Sequence, residues 1–286
     1  GGGLIDIMQA LIFADRLGRE LEPLTERTCV ALLPVVGKPV LEHTLEALVA
    51  AGVREAVIVI SPFADQVRSV LGDGSRWGMQ LDYVLTQGEE DPDTVVERCQ
   101  SRLQSDVLAL RGDVLRGAVL DEFLQRAAAI DGPVVLGRAV DAPISLCLNR
   151  AAGQGGLEPL RWSNQALATA SSWPVVELPT GAASRLESLA IYHRANLDAA
   201  AGRFPGLIVP GREAALGLRV GVHSKTSPRS LRQGIAFGGA QCRIEASVEL
   251  YGEVVISNSV IVDRYTMLRD SVILPETYVG ELVEVQ

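Results

Sequence analysis

From Val255 to Val285 an apolar residue returns at every sixth position: Val255, Ile261, Met267, Ile273, Val279 and Val285. Ser259, Ser271 and Thr277 stand four places after three of them. A sustained spacing of six is the rhythm of a parallel β-helix, in which each hexad forms one side of a triangular coil. It predicts a parallel β-helix over 218–286. Upstream the rhythm weakens, since Phe237 keeps the frame while Arg243 and Glu249 fall in the same phase. A β-meander is the alternative. The rhythm still runs where the sequence stops at Gln286. An open strand edge there needs a cover, supplied by oligomerisation or by further chain.

A different pattern fills the first two hundred residues. Strand-like runs at 9–13, 55–60, 81–85, 107–111 and 134–136 alternate with helix-like runs at 40–51, 62–71, 93–104 and 119–129. Leu41, Leu45 and Leu48 keep helical spacing, and Gly52 is placed to cap that helix. Alternation of this kind builds βαβ units: an α/β, Rossmann-like domain with a mostly parallel sheet between helices. Ligands of such sheets sit beyond the carboxyl ends of the strands. Residues 14–28, Gly112 and Asp113 fall at that edge. From about 139 the pattern loosens, and "SLAIYHRANLDAA" reads as a strand running into a helix. The predicted organisation is an α/β domain over 8–205, a Pro/Gly-punctuated linker over 206–217 and the coil domain over 218–286.

The totals exclude several classes. A formal net charge of −9 with no lysine or arginine run argues against a nucleic-acid partner. Cys29, Cys99, Cys147 and Cys242 are far apart, with no CxxC and no histidine at ligand spacing. Zinc and a disulfide framework are therefore not expected, and a reducing compartment fits. No apolar stretch approaches the roughly 18 residues of a membrane span, so a soluble, cytoplasmic protein is expected. The opening "GGGLIDI" reads as appended residues, with Met8 as the native start. His43, His193 and His223 have no acidic or cysteine partner at a telling spacing, and no hydrolase triad is visible.

The stretch "ALIFADRLGRELEPLTERTCVALLPVVGKPVLEHTLEAL" (10–48) has the order strand, polar loop, helix by which α/β proteins hold phosphates. "PLTERT", "LLPVVGKPVLEHTLEALVAAGV", "LGDGSRWGMQLDYV" and the tail "SVILPETYVG" carry a resemblance to the bacterial sugar-1-phosphate nucleotidylyltransferases (NDP-sugar pyrophosphorylases), above all the mannose-1-phosphate guanylyltransferase-like group with a C-terminal left-handed β-helix. That resemblance implies nucleotide and sugar-phosphate substrates and Mg²⁺. It also implies Asp113, in Gly112-Asp113, as the metal-binding and catalytic aspartate. The family's glycine-rich loop, however, reads here Ala14-Asp15-Arg16-Leu17-Gly18-Arg19-Glu20-Leu21-Glu22. Arg16 stands at a glycine position, Glu20 where the catalytic arginine would be, and Val30 where the lysine would be.

Phosphoryl-type transfer relies on positioned cations, and losing one costs roughly a hundred- to a thousandfold in rate. A carboxylate in place of a cation adds repulsion, on the order of 4 kcal/mol at 4 Å and an effective dielectric near 20. Arg16, Gly18 and Arg19 remain candidates for gripping an anion, since guanidinium forks suit phosphate. The other reading is that both arginines pair with Asp15, Glu20 or Glu22. Three functions stay open: a catalytically impaired nucleotide- or sugar-nucleotide-binding partner in exopolysaccharide or envelope assembly, an active transferase with a rearranged loop, and a scaffold that binds no small molecule.

Overall fold

The structure is a computed structural model that describes residues 8–103, 106–139, 146–150, 155–162 and 172–286. The chain divides into two compact units: residues up to Leu33 with Val40–Arg185, and Pro34–Pro39 with Leu186–Gln286.

The first unit is built on a seven-stranded sheet. In chain order its strands are β1 Gln9–Ala14, β2 Glu55–Ile60, β3 Gln80–Leu85, β4 Val107–Arg111, β5 Val134–Ala139, β6 Leu146–Asn149 and β7 Val175–Leu178. They lie in the order β7-β5-β6-β4-β1-β2-β3, all neighbours parallel except β6, which runs antiparallel to β4 and β5. Helices α1 Val40–Ala50, α2 Ala64–Leu71, α3 Pro92–Cys99 and α4 Leu120–Ala128 connect them. The apolar runs are continuous because both faces of the sheet are covered. Ala10, Ile12 and Ala14 of β1 join the core shared with α1, α2 and α4, while Leu11 and Phe13 join the core shared with α3. Asp91 starts α3, its carboxylate accepting from the amides of Asp93 (3.0 Å) and Thr94 (3.4 Å), with Pro92 in the first turn.

The predicted α/β alternation holds to β5. The loosened region yields β6 and β7, which short, weakly periodic runs did not announce.

The second unit contains helix α5 Leu189–Ala200 and a ladder of short parallel strands. Successive strands pair at offsets of 18 or 17 residues: Leu250 with Leu268, Ile244 with Val262, Ile256 with Ile273, Val262 with Val279. Buried apolar residues recur along them every six positions, at Ile244, Leu250, Ile256, Val262 and Leu268. This corrects the phase read from the sequence. Ile261 is 43% exposed and Met267 half-buried, while their neighbours Val262 and Leu268 are inside, because consecutive strand residues face opposite ways. Between Leu268 and Ile273 the step shortens to five, which brings Ile273 and Val279 into the phase first read. Val255 faces away from Ile256 and is buried as well, since α5 packs on its strand, Glu249–Ile256. The upstream rhythm judged weak at Arg243 and Glu249 is regular once shifted by one.

The segment "SLAIYHRANLDAA" is also corrected. It is helical from Leu189, because the Ser188 hydroxyl caps the amide of Ile191 at 3.2 Å. Residues 186–205, placed with the α/β domain by the sequence, cluster with the short parallel strands of the second unit. Among the described residues no helix is long and apolar enough to cross a membrane.

Candidate functional site

The parallel strands β1 and β4 are neighbours, with Phe13 opposite Arg111. Their carboxyl ends therefore bring Asp15 and Asp113 together at the edge where such sheets hold ligands. Both aspartate side chains are fully buried. The group between them is Arg111. Its Nε donates to Asp113 Oδ1 at 2.8 Å and its Nη2 to Asp113 Oδ2 at 2.7 Å, a two-pronged grip. Nη2 also reaches Asp15 Oδ1 at 3.0 Å, and Nη1 donates to the Leu160 carbonyl at 3.2 Å. Arg116, equally buried, donates to the carbonyl of Arg111 at 3.3 and 3.4 Å.

Burial disfavours charge on all of these groups, and their partners decide the outcome. For Arg111 burial opposes the charge, but Asp113 and Asp15 together outweigh it and hold its pKa above the ordinary arginine value. For Arg116 burial outweighs the pull of Asp113 and pushes it down to about 10. Burial raises Asp15 despite Arg111 beside it.

The loop after β1 closes on itself. Arg16 is wholly buried; its Nε and Nη2 hold Glu20 Oε1 at 2.8 and 2.5 Å, and Nη1 donates to the Arg185 carbonyl at 2.6 Å. Its guanidinium carbon lies 3.8 Å from the centre of the Trp162 ring, with those of Arg185 and Arg111 at 4.1 and 5.4 Å, within cation–π range. The two-residue pairing of Ala183–Ser184 with Leu115–Arg116 brings Arg185 here. The Leu17 amide donates to Glu89 Oε1 at 2.9 Å, and the Leu21 amide to the Gly18 carbonyl at 2.9 Å. Gly18 is needed because its φ is +70° and a Cβ would stand 2.5 Å from Val30 Cγ2. Val30 thus serves as packing under the loop. Arg19 is exposed and makes no ion pair among the described residues.

Of the residues singled out by sequence, Asp113, Arg16 and Gly18 are brought together inside, and Arg19 is left outside. Arg111, Arg116, Arg185, Trp162 and Glu89 were missed. Only Arg111 had a local signal: an arginine ends an otherwise apolar buried strand, two places before Asp113.

A divalent cation at Asp113 does not fit these residues. Both carboxylate oxygens already accept from Arg111, and no side-chain surface is left for the waters that Mg²⁺ retains. Among the described residues no group of three or more His, Cys, Asp or Glu is arranged to hold a metal.

Residues 9–143 match the Nucleotidyl transferase family. A glucose-1-phosphate thymidylyltransferase of Streptomyces griseus is 42% identical over 77 residues, 27% of this chain and 22% of that protein. One from an Actinoplanes species is 32% identical over 142 residues, 48% of this chain and 46% of that protein. A mannose-1-phosphate guanylyltransferase of Mycobacterium tuberculosis is 30% identical over 118 residues, covering 41% and 33%. The aligned stretches thus span between about a fifth and about half of these relatives' own length. A crystal structure of a Bacillus anthracis glucose-1-phosphate thymidylyltransferase superposes with a TM-score of 0.54 over 66% of this chain and 94% of its own. At 17% identity that likeness shows the fold.

Proposed function

Through residues 9–143 the chain belongs to the sugar-1-phosphate nucleotidylyltransferase family, and on that premise we propose that it is a nucleotidyltransferase-fold protein impaired in transfer. The observation that carries this is the self-satisfied loop. Donors that would face a triphosphate are spent on the chain's own carboxylates, Arg16 on Glu20 and the Leu17 amide on Glu89. Transition-state stabilisation needs donors aimed at the developing charge, and these are aimed elsewhere. What remains is a binding or regulatory partner for a nucleotide or sugar nucleotide in exopolysaccharide or envelope assembly, working in the cytoplasm. Arg19 is the exposed cation of the loop and the first contact offered to an anionic ligand.

Incubation with a nucleoside triphosphate, Mg²⁺ and glucose-1-phosphate or mannose-1-phosphate is expected to release pyrophosphate at the background rate. Turnover near 1 per second, an ordinary enzyme value, would overturn the proposal in favour of a transferase with a rearranged loop.

The coil strands belong in this reading as a left-handed β-helix built of hexapeptide repeats and used for self-association. Ile261 and Tyr278, opposite each other in register, are exposed, as are Tyr265 and Leu282. Apolar side chains so placed favour a partner surface. Light scattering is expected to give a dimer or larger assembly. A mass that stays monomeric across concentration would count against it.

A further inference from the structure

Two carboxylates buried side by side cannot both stay ionised without a cation among them. Asp15 and Asp113 are such a pair, and the cation is supplied by the chain. Arg111 spends all three of its nitrogens inside the fold: two on Asp113, one of these also on Asp15, and the third on the Leu160 carbonyl. The Leu160 contact matters because it is backbone from a distant segment whose side chain is itself buried in the core. The guanidinium is therefore held from both sides rather than resting on the carboxylates alone. Arg116, on the carbonyl of Arg111, fixes the strand end that carries it.

We propose that the Arg111 guanidinium is a built-in substitute for a divalent cation, and that Asp15 and Asp113 form a cryptic divalent-cation site which Arg111 keeps closed. This deepens the reading of the same site as impaired, and rests on it only for the location. A guanidinium cannot exchange, polarise a bound oxygen or carry water ligands as a metal ion does. The substitution turns a candidate catalytic centre into a permanent internal ion pair. Removing the guanidinium while keeping both carboxylates should reopen the site to oxygen-seeking cations.

The test is titration with MnCl₂ and MgCl₂ alone, by calorimetry and thermal melting, of the wild-type chain, Asp113→Asn, Arg111→Gln, Arg111→Lys and the double variant Arg111→Gln/Asp113→Asn. Wild type and Arg111→Lys, which keeps a fixed charge, are expected to show no saturable binding dependent on Asp113. Arg111→Gln is expected to bind Mn²⁺ at least about tenfold more tightly than wild type, because a buried like charge has gone. Its melting temperature should rise with Mn²⁺, and the double variant should lose both effects. Should Arg111→Gln be unfolded without metal, refolding in millimolar MnCl₂ is the readout, and metal-dependent recovery is expected. Saturable Mn²⁺ or Mg²⁺ binding to wild type that Asp113→Asn abolishes overturns the proposal. So does an Arg111→Gln variant that neither binds Mn²⁺ nor is rescued by it. Pyrophosphate release by wild type without such metal binding would instead remove the functional reading and leave this one standing.

Discussion

Replacing Asp113 with alanine is expected to destabilise the first unit by about 3–5 kcal/mol, the usual cost of stripping one partner from a buried ion pair. The magnitude follows from what is left behind. Arg111 is 3% exposed and would keep, beside the neutral Leu160 carbonyl, a single carboxylate, Asp15, through one nitrogen at 3.0 Å, in place of the two-pronged contact to Asp113. Asp15→Asn should cost less, since burial already raises the pKa of that carboxyl and its ionised form is held at a penalty. Urea denaturation followed by tryptophan fluorescence reads this unit, because Trp77, Trp162 and Trp173 all lie in it. A loss below about 1 kcal/mol for Asp113→Ala, the scale of an exposed pair, would show that the cluster is solvated and would remove the physical basis of the functional proposal.

The second large effect is expected at Gly234→Ala in the parallel strand ladder of the second unit. A Cβ there would stand 1.9 Å from the carbonyl oxygen of Gly252, and the φ of +90° is one that alanine adopts at a cost of roughly 1–2 kcal/mol before any clash. The obstructing atom is backbone of the adjacent strand, so neither partner can move without breaking the ladder between Leu231–Gly238 and Glu249–Ile256. A destabilisation above about 3 kcal/mol places this among the large single-site effects. Hydrogen exchange should show lost protection at Val254 and Ile256. Gly280→Ala is the control, since its Cβ would meet nothing closer than 3.9 Å and its backbone is ordinary. Equal effects at Gly234 and Gly280 would mean that the close stacking does not exist.

Local sequence sufficed where one residue's neighbours in the chain decide its state. The first five strands and four helices of the α/β unit follow from apolar runs and helical spacing, and the loop substitutions at Arg16, Glu20 and Val30 were legible as departures from a phosphate-binding pattern. The six-residue rhythm was legible too, but its phase was not. Val255 and Ile256 are equally apolar, and only the packing of α5 on one side and the apolar core of the strand ladder on the other tells which faces inward. A strand shows both of its faces in the sequence and cannot say what covers each.

The site itself was decided almost wholly by tertiary structure. Asp15, Arg111 and Leu160 are brought into contact across separations of 96 and 49 residues, Trp162 meets Arg16 from far along the chain, and Arg185 joins them beside the pairing of Ala183–Ser184 with Leu115–Arg116. By itself the sequence determined that a nucleotidyltransferase-type sheet would place carboxylates and arginines at one edge, because strand order and polarity set that edge. Whether those arginines face a ligand or the chain's own carboxylates depends on burial. A buried charge takes whichever partner the fold has already placed within hydrogen-bond reach.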